Sequence, residues 1–167
     1  DETVDPHTWT SVRNARIMAR NITEALCDID PSGAREYRRN HDALDAHLDS
    51  LDKTIAARLA PARGKAFLVW HPSLSYFARD YGLEQVVVGG HEGKESSVTS
   101  MREAVNHARS HGAEVFFSQQ DLDTRHVSAL NAEIGAREVS INPLSSHWEE
   151  EMTRIADALD PQTTPRQ

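Results

Sequence analysis

Apolar positions recur at helical spacing in the first part of the chain and in short solid runs in the second. Over SVRNARIMARNITEALCDID, Val12, Ala15, Met18, Ile22 and Leu26 fall at three- and four-residue steps, with Ser11 placed to cap the start. The spacing predicts a first helix that Asp30-Pro31 brings to an end. From about Ala34 to Leu59, Tyr37, Leu44, Leu48, Leu51, Ile55 and Leu59 form one narrow stripe among Asp, Arg and Lys. A helix of that length, roughly 35–40 Å at 1.5 Å per residue, is longer than a small domain needs and reads as a strut. Its Asp42, Asp45, Asp49 and Asp52, with His41 and His47, are expected to face solvent.

After Ala60-Pro61 the runs AFLVW, QVVVGG, EVFF and REVSI alternate with helical stretches. These are LSYFARDY, VTSMREAVNHARSHG, TRHVSALNAEIG and HWEEEMTRIADAL. Strands that are apolar without alternation, each followed by a helix, predict a parallel sheet covered on both faces. Four such units from about residue 64 to 160 give an α/β domain, a four-stranded doubly wound parallel sheet with flanking helices. The tail PQTTPRQ is expected to fray.

Composition narrows the function classes. With 26 acidic against 18 basic residues and a formal charge of −8, no nucleic-acid footprint is expected. The apolar runs fall far short of the roughly 20 residues that span a bilayer. No charged-then-apolar leader opens the chain, as expected of a mature or trimmed protein. The single Cys27 excludes an internal disulfide and reads as a small packed side chain. Nine histidines are many for this length, so their positions matter.

In an open parallel sheet, ligands bind outside the carboxyl ends of the strands. The first strand ends at His71, which Pro72 biases toward extended backbone. The second ends in Gly89-Gly90-His91-Glu92-Gly93, the third near Ser118-Gln119-Gln120, the fourth at Asn142-Pro143 with His147 soon after. Metal-competent side chains thus converge on one edge. Ahead of the first helix, His7 sits in a proline-shaped turn, Asp5-Pro6-His7-Thr8-Trp9. His107 and His111 stand four residues apart, a spacing that can bind zinc, but on a charged helix they read as a solvated face, as does His126.

Taken in order, DPHTWTSVRNARIMARNITEAL, the charged helix ending in LAPARGKAFLVWHPSLSYFARDYGLEQVVV, the loop HEGKESSV and INPLSSHWEEEM span nearly the whole chain. Together they resemble the solute-binding proteins of bacterial zinc and manganese ABC transporters. The resemblance implies two α/β lobes joined by one long helix, with the metal held between them. It makes residues 1–30 the end of an N-terminal lobe, 31–62 the linking helix, 63–160 the C-terminal lobe and 161–167 a tail. It implies Zn²⁺, with Mn²⁺ the lesser alternative, an extracytoplasmic location, an ABC permease as partner and no catalysed reaction. The ligands carried over are His7, from the DPHxW motif, and His71, where histidine is typical of the zinc-selective branch. A further histidine ligand belongs to the N-terminal lobe. Asn142 stands where the family often has aspartate, an amide oxygen that removes one charge from the site. The loop carries serine where the family usually has proline, and nothing is carried over from it. Asn142, His91 and His147 are kept as candidate ligands or as groups that orient them.

Imidazole suits Zn²⁺ at about 2.0–2.1 Å, and nitrogen donors favour it over the harder Mn²⁺. Two alternatives stand beside this reading. One is a metal-free interaction module on the same fold, with the exposed lobe face as a candidate dimer interface. The other is a small α/β hydrolase using His71 with Ser73 or Ser75, which lacks a Gly-x-Ser-x-Gly elbow.

Overall fold

The Ser11 hydroxyl accepts the backbone N–H of Asn14 at 2.9 Å and so closes the start of α1 (Val12–Ile29). At the other end Asp30 takes the backbone N–H groups of Ser32 and Gly33 and the Tyr37 hydroxyl. That turn hands the chain to α2 (Ala34–Leu59), the long helix predicted from the stripe. The computed structural model describes residues 4–89, 97–119 and 135–163. The helix predicted over 124–135 and the HEGKESSV loop lie wholly or largely outside them, and so do His91 and His126.

The domain proper comprises β1 (Ala66–Val69), α3 (Ser75–Tyr81), β2 (Glu84–Val87), α4 (Val98–Ser110), β3 (Val115–Gln119), β4 (Arg137–Ile141) and α5 (Trp148–Leu159). All three strand pairings are parallel, and the sheet order is β2-β1-β3-β4. Alternate residues explain the solid apolar runs. Phe67, Val69, Val115 and Phe117 face a core shared with Leu48, Ile55, Leu59, Phe77, Met152 and Ile155. Leu68, Val86 and Phe116 face the other side, against Val105 and Ala108 of α4. Every side chain of β1 is therefore buried, which a period-two amphipathic strand would not require.

The short connections are set by backbone demands. Gly82 ends α3 at φ +69°, a left-handed geometry that a side chain would strain. Gly89 lies so close to the chain that a Cβ there would sit 2.2 Å from the Trp70 carbonyl oxygen. Gly89, two residues past β2, thus packs directly on Trp70, between the end of β1 and His71.

One feature of the helix pair was not expected, and one expectation needs correction. The first concerns α1, whose apolar stripe is buried at Val12 but left 40–59% exposed at Met18, Ile22 and Leu26. Only the first turn of α1 reaches the core over the sheet; the rest lies along α2. The second concerns the carboxylates of α2. Arg16 donates to Asp45 and Asp49, and Arg13 and the Tyr81 hydroxyl donate to Asp52, so these acids bind neighbouring elements rather than water alone.

Candidate metal centre

The strand order changes direction at β1, with β2 on one side and β3 on the other. The crevice above the carboxyl ends of β1 and β3 is where an open α/β sheet offers a binding site. His71 stands there, just past β1. From the end of β3, Gln119 donates its amide to the Ser73 hydroxyl at 3.1 Å, bracing the loop that carries His71.

The N-terminal segment supplies the second imidazole. Nε2 of His7 and Nε2 of His71 are 3.1 Å apart, with the rings nearly perpendicular at 83°. Two nitrogens on one tetrahedral Zn²⁺, each at about 2.0–2.1 Å, would be separated by about 3.3–3.4 Å. The pair therefore stands within a few tenths of an ångström of a shared-ion geometry.

Asp5 orients His7. Its Oδ1 lies 2.7 Å from Nδ1 of His7 and 2.9 Å from the His7 backbone nitrogen. A carboxylate accepts only, so Nδ1 carries the proton and Nε2 presents its lone pair. The other oxygen of Asp5 accepts the Ser75 hydroxyl, and the Asp5 carbonyl accepts the Tyr76 hydroxyl at 2.8 Å. Burial opposes the charge on Asp5, but the hydrogen bonds from Ser75 and His7 prevail and hold it below the usual carboxylate range. At His71, partial desolvation and then the neighbouring His7 push the ring below the ordinary imidazole value, against the pull of Asp5. His71 is therefore neutral and ligand-competent at neutral pH.

Two tryptophans lock this segment onto the sheet edge. Trp9, 5.4 Å from the His7 ring, donates its indole N–H to the Pro143 carbonyl at 3.0 Å. Trp148 donates its own to the Trp9 carbonyl at 2.8 Å. The Asn142-Pro143 turn is thus held against Trp9. Asn142 itself spends its Oδ1 on the Leu144 N–H at 3.1 Å, while its N–H is taken by Glu151 at 2.7 Å. His147 is exposed and 3.8 Å from Glu150, at the start of α5. The two serines near His71 are engaged structurally: Ser73 accepts from Gln119 and Ser75 holds Asp5.

Sequence reasoning gave no orienting role to Asp5, Tyr76 or the two tryptophans, and considered Ser75 only as a hydrolase nucleophile or a capping or loop residue. Asp5 carried one usable signal, an acid two residues before a candidate ligand, since metal-bound histidines usually donate their other nitrogen to such a group.

The chain matches, over residues 1–160, the family described as ZnuA, zinc-uptake complex component A, periplasmic. It is 30% identical over 158 residues to the high-affinity zinc uptake system protein ZnuA of Bacillus subtilis, covering 94% of this chain and 50% of that protein. A zinc-bound ZnuA deletion mutant superposes with a TM-score of 0.88 at 29% identity, covering 99% of this chain and 64% of the other. The Mn²⁺ complex of the solute-binding protein FpvC from Pseudomonas aeruginosa gives 0.78 at 28% identity, covering 96% of this chain and 65% of the other. The chain spans about half the length of the curated relatives it matches first, 50–55%. Among the described residues no helix is long and apolar enough to cross a membrane.

Proposed function

This chain belongs to the ZnuA family of periplasmic zinc-uptake components, and on that premise we propose that it supplies part of a Zn²⁺ capture site that two lobes close, for delivery to an ABC permease. Residues 63–160 form the C-terminal lobe, 31–62 the linking helix and 1–30 the end of the N-terminal lobe. His7 and His71 each give the ion an Nε2 lone pair, and Asp5 fixes the tautomer of the first. The remaining positions fall to a group of the other lobe, to water, or to Asn142 after release of the Leu144 N–H. Nitrogen donors make Zn²⁺ the preferred cargo and Mn²⁺ the lesser one. The protein acts outside the cytoplasm, and the ion leaves as it arrived, with no bond of a substrate made or broken.

One observation carries this reading: the 3.1 Å approach of two imidazoles from chain segments 64 residues apart, one of them backed by a carboxylate. Ligands drawn from separate segments let closure and metal binding depend on each other. The test is calorimetric titration of the full-length protein with Zn²⁺. His71→Ala should weaken the tight binding step by more than the roughly 10–100-fold that loss of an outer-shell partner costs. Affinity unchanged by that substitution would reject the assignment.

A further inference from the structure

A second group of metal-competent side chains lies at the opposite edge of the sheet. Glu84 opens β2 and pairs with Ala66 at the start of β1. His71 follows the other end of β1, which from Ala66 to Val69 spans roughly 10 Å at 3.3 Å per residue. Over Glu84 runs the last turn of α4, and His107 places Nε2 2.7 Å from Glu84 Oε1. His111, one turn on, stacks its ring 4.3 Å from that of His107. One ligand atom from each of the three residues falls within 4.8 Å of the others.

An ion pair accounts for Glu84 and His107 but not for the third member. His111 directs Nδ1 at the His107 carbonyl, 2.9 Å away, and that oxygen can only accept. Nδ1 is therefore the protonated nitrogen, and Nε2 of His111 keeps a free lone pair. Ser110 supports the same tautomer, with its hydroxyl donated to the His107 carbonyl at 2.7 Å and its oxygen 3.1 Å from Nδ1 of His111. A histidine whose second nitrogen is tied to a backbone carbonyl is arranged as metal-bound histidines are. The end of α4 also favours a cation, because its last carbonyls point outward.

We propose that Glu84, His107 and His111 form a second Zn²⁺ site, remote from His7 and His71. The ion takes the place of the proton between His107 Nε2 and Glu84 Oε1, and His111 Nε2 gives the third bond. Opening that 2.7 Å contact to the separation two ligands of one tetrahedral Zn²⁺ need, about 3.3–3.4 Å, asks only for small rotations of two exposed side chains. The fourth position is open to water. Two imidazoles and one carboxylate suit Zn²⁺ better than Mn²⁺.

The experiment titrates the H7A/H71A protein with Zn²⁺, followed by calorimetry and by the ¹H–¹⁵N signals of the imidazole rings. One equivalent should bind, with the His107 and His111 signals moving together. Glu84→Gln should weaken that event by roughly tenfold or more, and H107A/H111A should abolish it. All these residues are at or near the surface, so circular dichroism should report an unchanged fold in each variant. The assignment is overturned if the H7A/H71A protein binds no Zn²⁺ up to millimolar concentration. It is equally overturned if binding survives H107A/H111A or leaves both ring signals in place.

Discussion

The Asp5 carboxylate receives His7 twice, through backbone and ring, and Ser75 once, so one side chain connects the N-terminal turn to α3 and to the imidazole pair. Replacing it by asparagine keeps the shape but removes the charge that keeps the proton on Nδ1. An amide can donate as well as accept, and His7 can then turn its lone pair away from His71. Asp5→Asn should therefore lower Zn²⁺ affinity by about 10–100-fold while leaving the far-ultraviolet circular dichroism unchanged. Equal affinity in calorimetry would mean that Asp5 merely fills the turn. At this scale the two histidines were legible, His71 from its place at a strand end and His7 from the motif around it. Their orienting groups were not, because Ser75 lies 70 residues from Asp5 in sequence and only the fold brings it there.

Among the elements, the pairing of α1 with α2 rests on polar contacts more than their apolar stripes suggest. Arg16 spans Asp45 and Asp49, at 2.6 and 2.8 Å, and Arg13 meets Asp52 at 3.1 Å. The acids fall at three- and four-residue steps, as do the arginines, so two complementary charged stripes were present in the sequence. They could not be matched without knowing that the helices lie side by side. The strands were easier: REVSI is β4 residue for residue, because β-branched and apolar side chains between turn residues leave few alternatives. The order β2-β1-β3-β4 was not legible, since it depends on which edge each crossover reaches. The hydrogen bond from Arg16 holds Asp45 below its ordinary range, and those from Lys53 and Arg16 do the same for Asp49. Groups with depressed folded values stabilise above the unfolded carboxylate value of about 3.9 and lose that contribution as pH falls through the folded value. The thermal midpoint should therefore drop between pH 5 and pH 3, and Arg16→Ala should shrink the drop. A drop of equal size in both proteins would assign acid sensitivity elsewhere. High salt should blunt the effect as well, since these pairs are near the surface.

Across the whole molecule, the imidazole pair adjoins an apolar groove of about 560 Å³ lined by Trp9, Met18, Ile22, Leu26, Leu44 and Trp148. Exposed apolar side chains gathered along one groove offer a face that another body could cover. A site at the edge of such a face has its ligands on one side only. On the proposed assignment His7 and His71 would fill two of the four positions a tetrahedral Zn²⁺ requires, and the 167-residue chain should then hold the ion there more weakly than a two-lobed protein carrying the remaining ligands. The comparison needs the H107A/H111A background, so that the second site contributes nothing. Protons compete for the same lone pairs. Because His71 titrates below the ordinary imidazole value of about 6.5, its competition with Zn²⁺ sets in only under that pH. Affinity should accordingly hold nearly level from pH 8 to about pH 7 and fall steeply by pH 5, in the chain and in the full-length protein alike. A site of carboxylates would keep its affinity to about pH 5, since such groups stay ionised there. Flat binding between pH 7.5 and pH 5 would thus replace imidazole by oxygen donors as the groups that grip the metal.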